Sequence, residues 1–133
     1  LAKRKETDLC LFFIDINNMK KINDQFGHMT GDAALLETAG ILRKVFRESD
    51  IIARIGGDEF VVLAIGSNGC NVGLITERIN RYLAEFNARS GWDFPLAISI
   101  GVSHNEHGKI TSIEEMLAGA DQRMYLQKRN CRE

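Results

Sequence analysis

Proline is almost missing from this chain. Pro95 is the single one among 133 residues, and no low-complexity tract or internal repeat is present to mark a linker. Cysteine is scarce as well. Cys10, Cys70 and Cys131 are an odd number, far apart, with no CxxC. That spacing argues against a disulfide framework or a zinc site and for a reducing cytosol. Long apolar runs are absent. The longest, Leu9 to Ile14 and Phe60 to Ile65, are six residues each, whereas a spanning helix needs about 20, so this domain is not expected to cross a membrane. No signal-peptide pattern opens the chain. Charge of one sign is not in excess either. Lys and Arg number 17 against 18 Asp and Glu, for a net charge of -1. Such a balance gives no general attraction to a nucleic-acid backbone or an anionic membrane.

What is present is ordinary for a soluble globular domain, with 44% hydrophobic and 26% charged residues. The length fits one domain that can bury a core without help from disulfides or a structural metal. Leu1 is not Met, so a piece of a longer protein is expected.

Leu9 to Ile14 is continuously apolar and rich in strand formers, and it ends at Asp15. It predicts a strand buried on both faces. Lys20 to Phe26 predicts a short helix closed by Gly27, and Thr30 to Phe46 an amphipathic one, with Leu35, Ala39, Leu42 and Phe46 on one face. Thr30 or Asp32 is the expected cap of the latter. Ile51 to Ile55 and Phe60 to Ile65 read as strands joined through Gly56-Gly57-Asp58-Glu59, with glycine supplying the positive φ of a tight hairpin. Ile75, Ile79, Leu83 and Phe86 mark a third helix; Leu96, Ile98, Ile100 and Val102 alternate as a strand. Ser112 to Lys128 reads as a last helix, with Ser112 and Glu115 forming a capping box. The order β-α-α-β-β-α-β-α predicts an α+β fold, an antiparallel or mixed sheet with flanking helices.

A right-handed crossover makes the first two strands parallel, though not necessarily neighbours. Asp15 and the Asp58-Glu59 pair then converge at one sheet edge. Converging carboxylates are hard oxygen ligands suited to Mg²⁺ or Mn²⁺. The alternative is a strand-end cap at Asp15 and a solvated turn at Asp58-Glu59. The segment from Asp15 to Asp24 leaves a buried strand and opens a helix, where free N–H groups and Lys20 can hold phosphate. Asn23 and Asp32 can read the edge of a base, although capping is the commoner use of Asn and Asp.

The run Asp15-Ile16-Asn17-Asn18-Met19-Lys20, then Asn23-Asp24-Gln25-Phe26-Gly27-His28 and Gly31-Asp32, resembles the nucleotide-binding stretch of the GGDEF family. Arg54-Ile55-Gly56-Gly57-Asp58-Glu59-Phe60 carries the signature of that family. Ser99-Ile100-Gly101-Val102 and Ala120-Asp121, Met124-Tyr125, Lys128 and Arg132 are similar to its C-terminal half. The resemblance spans nearly the whole chain. It implies a palm-like fold close to the nucleotidyl cyclases. The implied reaction condenses two GTP into cyclic di-GMP, a bacterial second messenger, and releases pyrophosphate. The implied cofactors are two Mg²⁺ or Mn²⁺ per active site, and the implied partner is a second copy in a head-to-head homodimer.

Carried over by motif, Asp15 and Asp58 hold the metals through carboxylates and Ile16 through its carbonyl. The catalytic set is Asp58, Glu59 and Lys20. Asp58 serves mainly to position metal, because a metal-bound carboxylate is a poor free base. Glu59 supports the second metal or the turn. Asn18, Met19 and Lys20 contact the triphosphate beside Gly56 and Gly57, and Lys128 and Arg132 clamp its end, unless they only complement a helix C-terminus. Asn23 and Asp32 match the guanine-reading pair, and His28 lies in the same loop. Arg47 and Asp50 match an RxxD product-inhibition site, with Arg78 as its secondary arginine.

Cys131 and Glu133 depart from the final basic motif of the family. A helix that usually precedes the fold and a strand that usually follows it are not found in the chain. The resemblance therefore implies a trimmed catalytic domain of 1–133. A sensory or receiver domain would belong to the full-length protein, and the location is cytoplasmic, including as the cytoplasmic part of a membrane-anchored sensor. The alternative function is a non-catalytic receptor for c-di-GMP or GTP. His104 and His107 have HxxH spacing, but no third ligand is evident, and solvent-exposed roles are expected.

Overall fold

The protein is described by a computed structural model over residues 9–65, 71–105 and 112–131, the side chains of 130 and 131 excepted. The elements follow the expected order. They are β1 (Leu9–Ile16), α1 (Met19–Phe26), α2 (His28–Val45), β2 (Ile51–Arg54), β3 (Glu59–Ile65), α3 (Val72–Arg89), β4 (Ile98–His104) and α4 (Ile113–Cys131). The four strands form one open sheet in the order β2-β3-β1-β4, and every pairing is antiparallel. β1 and β2 are thus parallel to each other with β3 between them.

The continuous apolar run of β1 is explained by its central place. Strand side chains alternate between faces, and both faces of β1 are covered. Phe12, Ile14 and Ile16 join the large core under α1, α2 and α3, where Phe12 meets the ring of Phe46 edge-on at 5.0 Å. Leu11 and Phe13 point the other way, to Met116, Ala120 and Met124 of α4. Asp15 has the parity of Leu11 and Phe13, so it too faces the α4 side. There, β4 contributes only small residues, Ser99, Gly101 and Ser103, opposite Asp15, Phe13 and Leu11. α4 can therefore lie close on the sheet. Ser103 Oγ donates to the Met116 carbonyl at 2.6 Å, and Arg123 reaches the Val102 carbonyl at 2.9 Å.

Several local expectations are corrected. β1 runs two residues past Ile14, so Asp15 lies within the strand. α2 begins at His28, with Gly27 (φ 92°) before it and no side-chain cap. Thr30 and Asp32 lie inside the helix, and Thr30 Oγ1 donates back to the Phe26 carbonyl. β4 starts at Ile98. Leu96 lies before it, buried and held by two hydrogen bonds to the Asn87 amide. Among the described glycines only Gly27 and Gly91 have positive φ, so Gly56-Gly57 does not turn the hairpin by that route. The turn closes instead through Ile55 N–H to the Glu59 carbonyl at 3.0 Å. The spacing of the cysteines argues against disulfides, yet buried Cys10 is disulfide-bonded. The cysteine count therefore carries no weight about compartment. The Ser112–Glu115 capping box is present in both directions, at 3.0 and 3.3 Å. No helix among the described residues is long and apolar enough to cross a membrane.

Candidate active site

The antiparallel register brings the acidic residues together. Asp15 on β1 pairs with Glu59 at the start of β3. Ile16 N–H donates to the Asp58 carbonyl at 3.2 Å, which ties the end of β1 to the turn. One carboxylate oxygen from each of Asp15, Asp58 and Glu59 lies within 4.8 Å of the others.

Lys128 closes this cluster from α4. Its Nζ donates to Asp15 Oδ2 at 2.7 Å, while Asp15 Oδ1 is buried with no hydrogen-bond partner. Burial pushes the Asp15 carboxyl up from 3.8 to about 6; the hydrogen bond from Lys128 opposes this, and the charge of Asp58 adds to it. Glu59 is also raised, by burial first and then by the charges of Asp58 and Asp121. Three carboxylates within reach of one another, with one oxygen of Asp15 buried and unpartnered, fit a divalent cation such as Mg²⁺ or Mn²⁺. A cation would hold these carboxylates ionised and reverse both shifts.

Two adjoining cavities reach the cluster at Asp58. One, of about 440 Å³, is lined by Asn23, His28 and Asp32 together with Lys20, Gly57 and Asp58. The other, of about 510 Å³, is lined by Asn18, Met19, Lys20, Asp58 and Lys128. They share Met19, Lys20, Asp24 and Asp58, so one continuous depression runs from α2 to Asp58 of the acidic cluster. Asn18 precedes α1 in the left-handed conformation (φ 61°, ψ 31°), and its side chain does not cap the helix. The first-turn N–H groups of α1 are therefore not taken up by a side-chain cap. The side chain of Ile16 is buried in the core. Gly56 lies against the Glu59 carboxylate, whereas at Gly57 a side chain would meet nothing within 4 Å. Arg132 and His107 lie outside the described residues, and His104 is the exposed last residue of β4.

Arg47, Asp50 and Arg78 gather at the C-terminal end of α2. Asp50 Oδ2 accepts from Arg47 N–H at 2.9 Å, Arg47 Nη2 donates to the Ile65 carbonyl at 2.8 Å, and Arg78 from α3 reaches the Lys44 carbonyl at 3.5 Å.

Two positioning interactions involve residues that the sequence motifs contain but to which the sequence assigned no role. Arg54 donates to the Gly56 and Gly57 carbonyls, the latter at 2.9 Å from Nη2, and so braces the turn that carries Asp58. Its place just before the glycines was the available signal. Ser99 Oγ donates to Asn17 Oδ1 at 2.7 Å, and Asn17 N–H to the Ala97 carbonyl at 2.8 Å. These bonds pin the β1–α1 loop to β4, a pairing across the fold that no local pattern reveals.

The family model "Diguanylate cyclase, GGDEF domain" matches residues 1–133. The chain belongs to the GGDEF family. It is 37% identical over 134 aligned residues to the diguanylate cyclase DgcS of Shewanella oneidensis, covering 98% of this chain and 43% of DgcS. The chain thus spans less than half the length of that relative. Among solved structures, the GGDEF domain of TpbB from Pseudomonas aeruginosa is 33% identical with a TM-score of 0.82, over 97% of this chain and 76% of that one. The GGDEF domain of DgcB from Caulobacter crescentus, solved in complex with c-di-GMP, is 25% identical with a TM-score of 0.76, over 97% and 78%. The open sheet with four helices is the GGDEF fold.

Proposed function

We propose that this GGDEF domain is a diguanylate cyclase that joins two GTP molecules into cyclic di-GMP. Each 3′-hydroxyl gives up its proton to solvent, its oxygen bonds to the α-phosphorus of the other nucleotide, and the bond from that phosphorus to pyrophosphate breaks, so two pyrophosphates leave. The observation that supports this reading is the depression that links Asn23 and Asp32 to Lys20, Lys128 and Asp58, the last of which belongs to the cluster with Asp15 and Glu59. In this reading the groups assigned to base, triphosphate and metal follow one another in the order a bound GTP requires.

Asp15 and Asp58, with the Ile16 carbonyl and support from Glu59, would hold two Mg²⁺ or Mn²⁺. The chemistry such cations would supply there is a lowered pKa for the attacking hydroxyl and neutralisation of charge on the leaving pyrophosphate. The chain supplies the rest. N–H groups at Asn18 and Met19, with Lys20, Lys128 and Arg132, receive the phosphates. Gly57 leaves room for them beside Asp58. Asp32 accepts from the N1–H and N2–H₂ donors of guanine, Asn23 pairs beside it, and His28 borders the same pocket. Adenine lacks those donors, so GTP is selected. Arg54 keeps Asp58 in place.

One domain offers one such pocket, and the reaction consumes two nucleotides. The working unit is therefore a homodimer with its pockets face to face, governed by a sensory or receiver domain in the full-length protein. Supply of GTP puts the domain in the cytoplasm. Product c-di-GMP binds at Arg47, Asp50 and Arg78 and feeds back on synthesis. The c-di-GMP complex of the DgcB relative supports product binding by domains of this fold.

Incubation with GTP and Mg²⁺ at high protein concentration, followed by separation of the nucleotides, tests the proposal. c-di-GMP should form and Asp58→Asn should abolish it. Binding of c-di-GMP with no synthesis under any dimerising condition would refute the cyclase and leave a nucleotide receptor.

A further inference from the structure

We infer that Lys128 is a stand-in for metal in the ligand-free protein, releasing Asp15 to a divalent cation only when a triphosphate offers its ammonium another partner. The inference rests on the metal site proposed above.

Lys128 and Asp15 are joined at 2.7 Å, with side chains only 19% and 8% exposed. Opposite charges so placed are partly withdrawn from water, and breaking such a pair without replacement is costly. The contact uses Oδ2 of Asp15, and Asp15 is one of the three residues of the acidic cluster with Asp58 and Glu59. An ammonium therefore already neutralises part of the charge that would draw a metal. A bare divalent ion has two ways in. It can sit beside the ammonium and be repelled, or it can displace the ammonium from Asp15 and leave it unpaired.

The same side chain also lines the cavity that holds Asn18, Lys20 and Asp58. Phosphate oxygens in that cavity would lie within the reach of Lys128. The ammonium then trades a carboxylate for a phosphate, a charge-assisted bond of comparable strength. Asp15 is left with both oxygens free for metal. Lys128 thus makes cation binding and nucleotide binding favour each other, and the coupling is reciprocal by thermodynamic necessity. Its role goes beyond clamping phosphate. It positions the metal ligands by holding their place until substrate arrives.

Direct Mn²⁺ binding tests this without turnover. Titrations by calorimetry or electron paramagnetic resonance would compare wild type, Lys128→Gln and Lys128→Arg, each with and without a GTP analogue that cannot be cyclised. Thermal melts check folding, and Lys128→Arg keeps the cation should the glutamine variant fold poorly. Lys128→Gln should bind Mn²⁺ alone more tightly by at least about five-fold, the lower end of ordinary coupling. The analogue should strengthen its Mn²⁺ binding less than in wild type. Lys128→Arg should resemble wild type. Equal bare Mn²⁺ affinity in wild type and Lys128→Gln, with Mn²⁺ still bound beside the analogue, would overturn the inference and leave the cyclase reading intact. Lys128→Arg binding bare Mn²⁺ as tightly as Lys128→Gln would also overturn it. Failure of wild type to bind Mn²⁺ even with the analogue would remove the metal site and the inference together.

Discussion

Gly31→Ala separates the stability of this domain from its recognition of a base. Gly31 lies in the first turns of α2, buried where that helix crosses α1. A methyl group there would fall on Oδ1 of Asn23, 3.0 Å from Asn23 Cγ and 3.3 Å from Met19 Cε. The obstacle is the tip of a side chain, so the backbone can stay and Asn23 must turn away. Alanine in a helix gains up to about 1 kcal/mol over glycine. Forcing Asn23 off its rotamer costs about 0.5–1.5 kcal/mol. The two nearly cancel, so the melting temperature should move by no more than a few degrees.

Recognition has no such compensation. A neutral hydrogen bond contributes about 0.5–1.5 kcal/mol, so losing one or two from Asn23 to the base weakens GTP binding by about 2- to 150-fold. The phosphate and metal groups are untouched, and kcat at saturating GTP should hold. Steady-state kinetics with a thermal melt on the same samples reads both quantities. A folded Gly31→Ala variant whose GTP KM stays within two-fold of wild type would refute the base-reading role of Asn23.

Gly101→Ala should behave in the opposite way. The added methyl would strike the Ala120 carbonyl and the Met124 backbone, 2.9 Å from its Cα, and helix backbone cannot rotate aside. Overpacking of this kind costs about 1–3 kcal/mol or more; a urea midpoint unchanged from wild type would disprove the close seating of α4. The pH dependence of metal-free protein has a definite sign. Asp15 is raised from 3.8 to about 6 in the fold, so the folded state holds its proton more firmly than the unfolded chain. The destabilisation from ionised Asp15 is present above that range and is relieved as pH falls through about 6. In EDTA, wild type should gain stability relative to Asp15→Asn between about pH 7 and about pH 5. Parallel urea midpoints for the two proteins across that span would contradict the assignment.

Much of the fold was legible because its signals are local. The apolar run of β1 declared a central strand, since alternation fails only where both faces are buried. The Ser112–Glu115 pair declared the start of α4. The GGDEF signature and its companions named the family from residues alone. Element ends were less legible. Asp15 interrupts an apolar run, yet it lies inside β1, because its place in the sheet is held by partners on β3 and β4. Gly56-Gly57 signalled a hairpin for the wrong reason. Gly56 lies tight against the Glu59 carboxylate and Gly57 lines the cavity, and this shows only once the surroundings exist.

By itself the sequence determined which chemical groups this protein owns and in what order its elements form, since both depend on residue type and short-range periodicity. Tertiary structure decided which groups meet. Asp15 and Lys128 are separated by 113 positions, and they touch because strand parity turns Asp15 toward the face on which α4 lies. Ser99 and Asn17 are 82 apart, and they meet because β1 and β4 are neighbours. No local pattern encodes such pairs. They follow from register and packing, and in this domain they shape the site where a cation and a triphosphate would exchange places with a lysine.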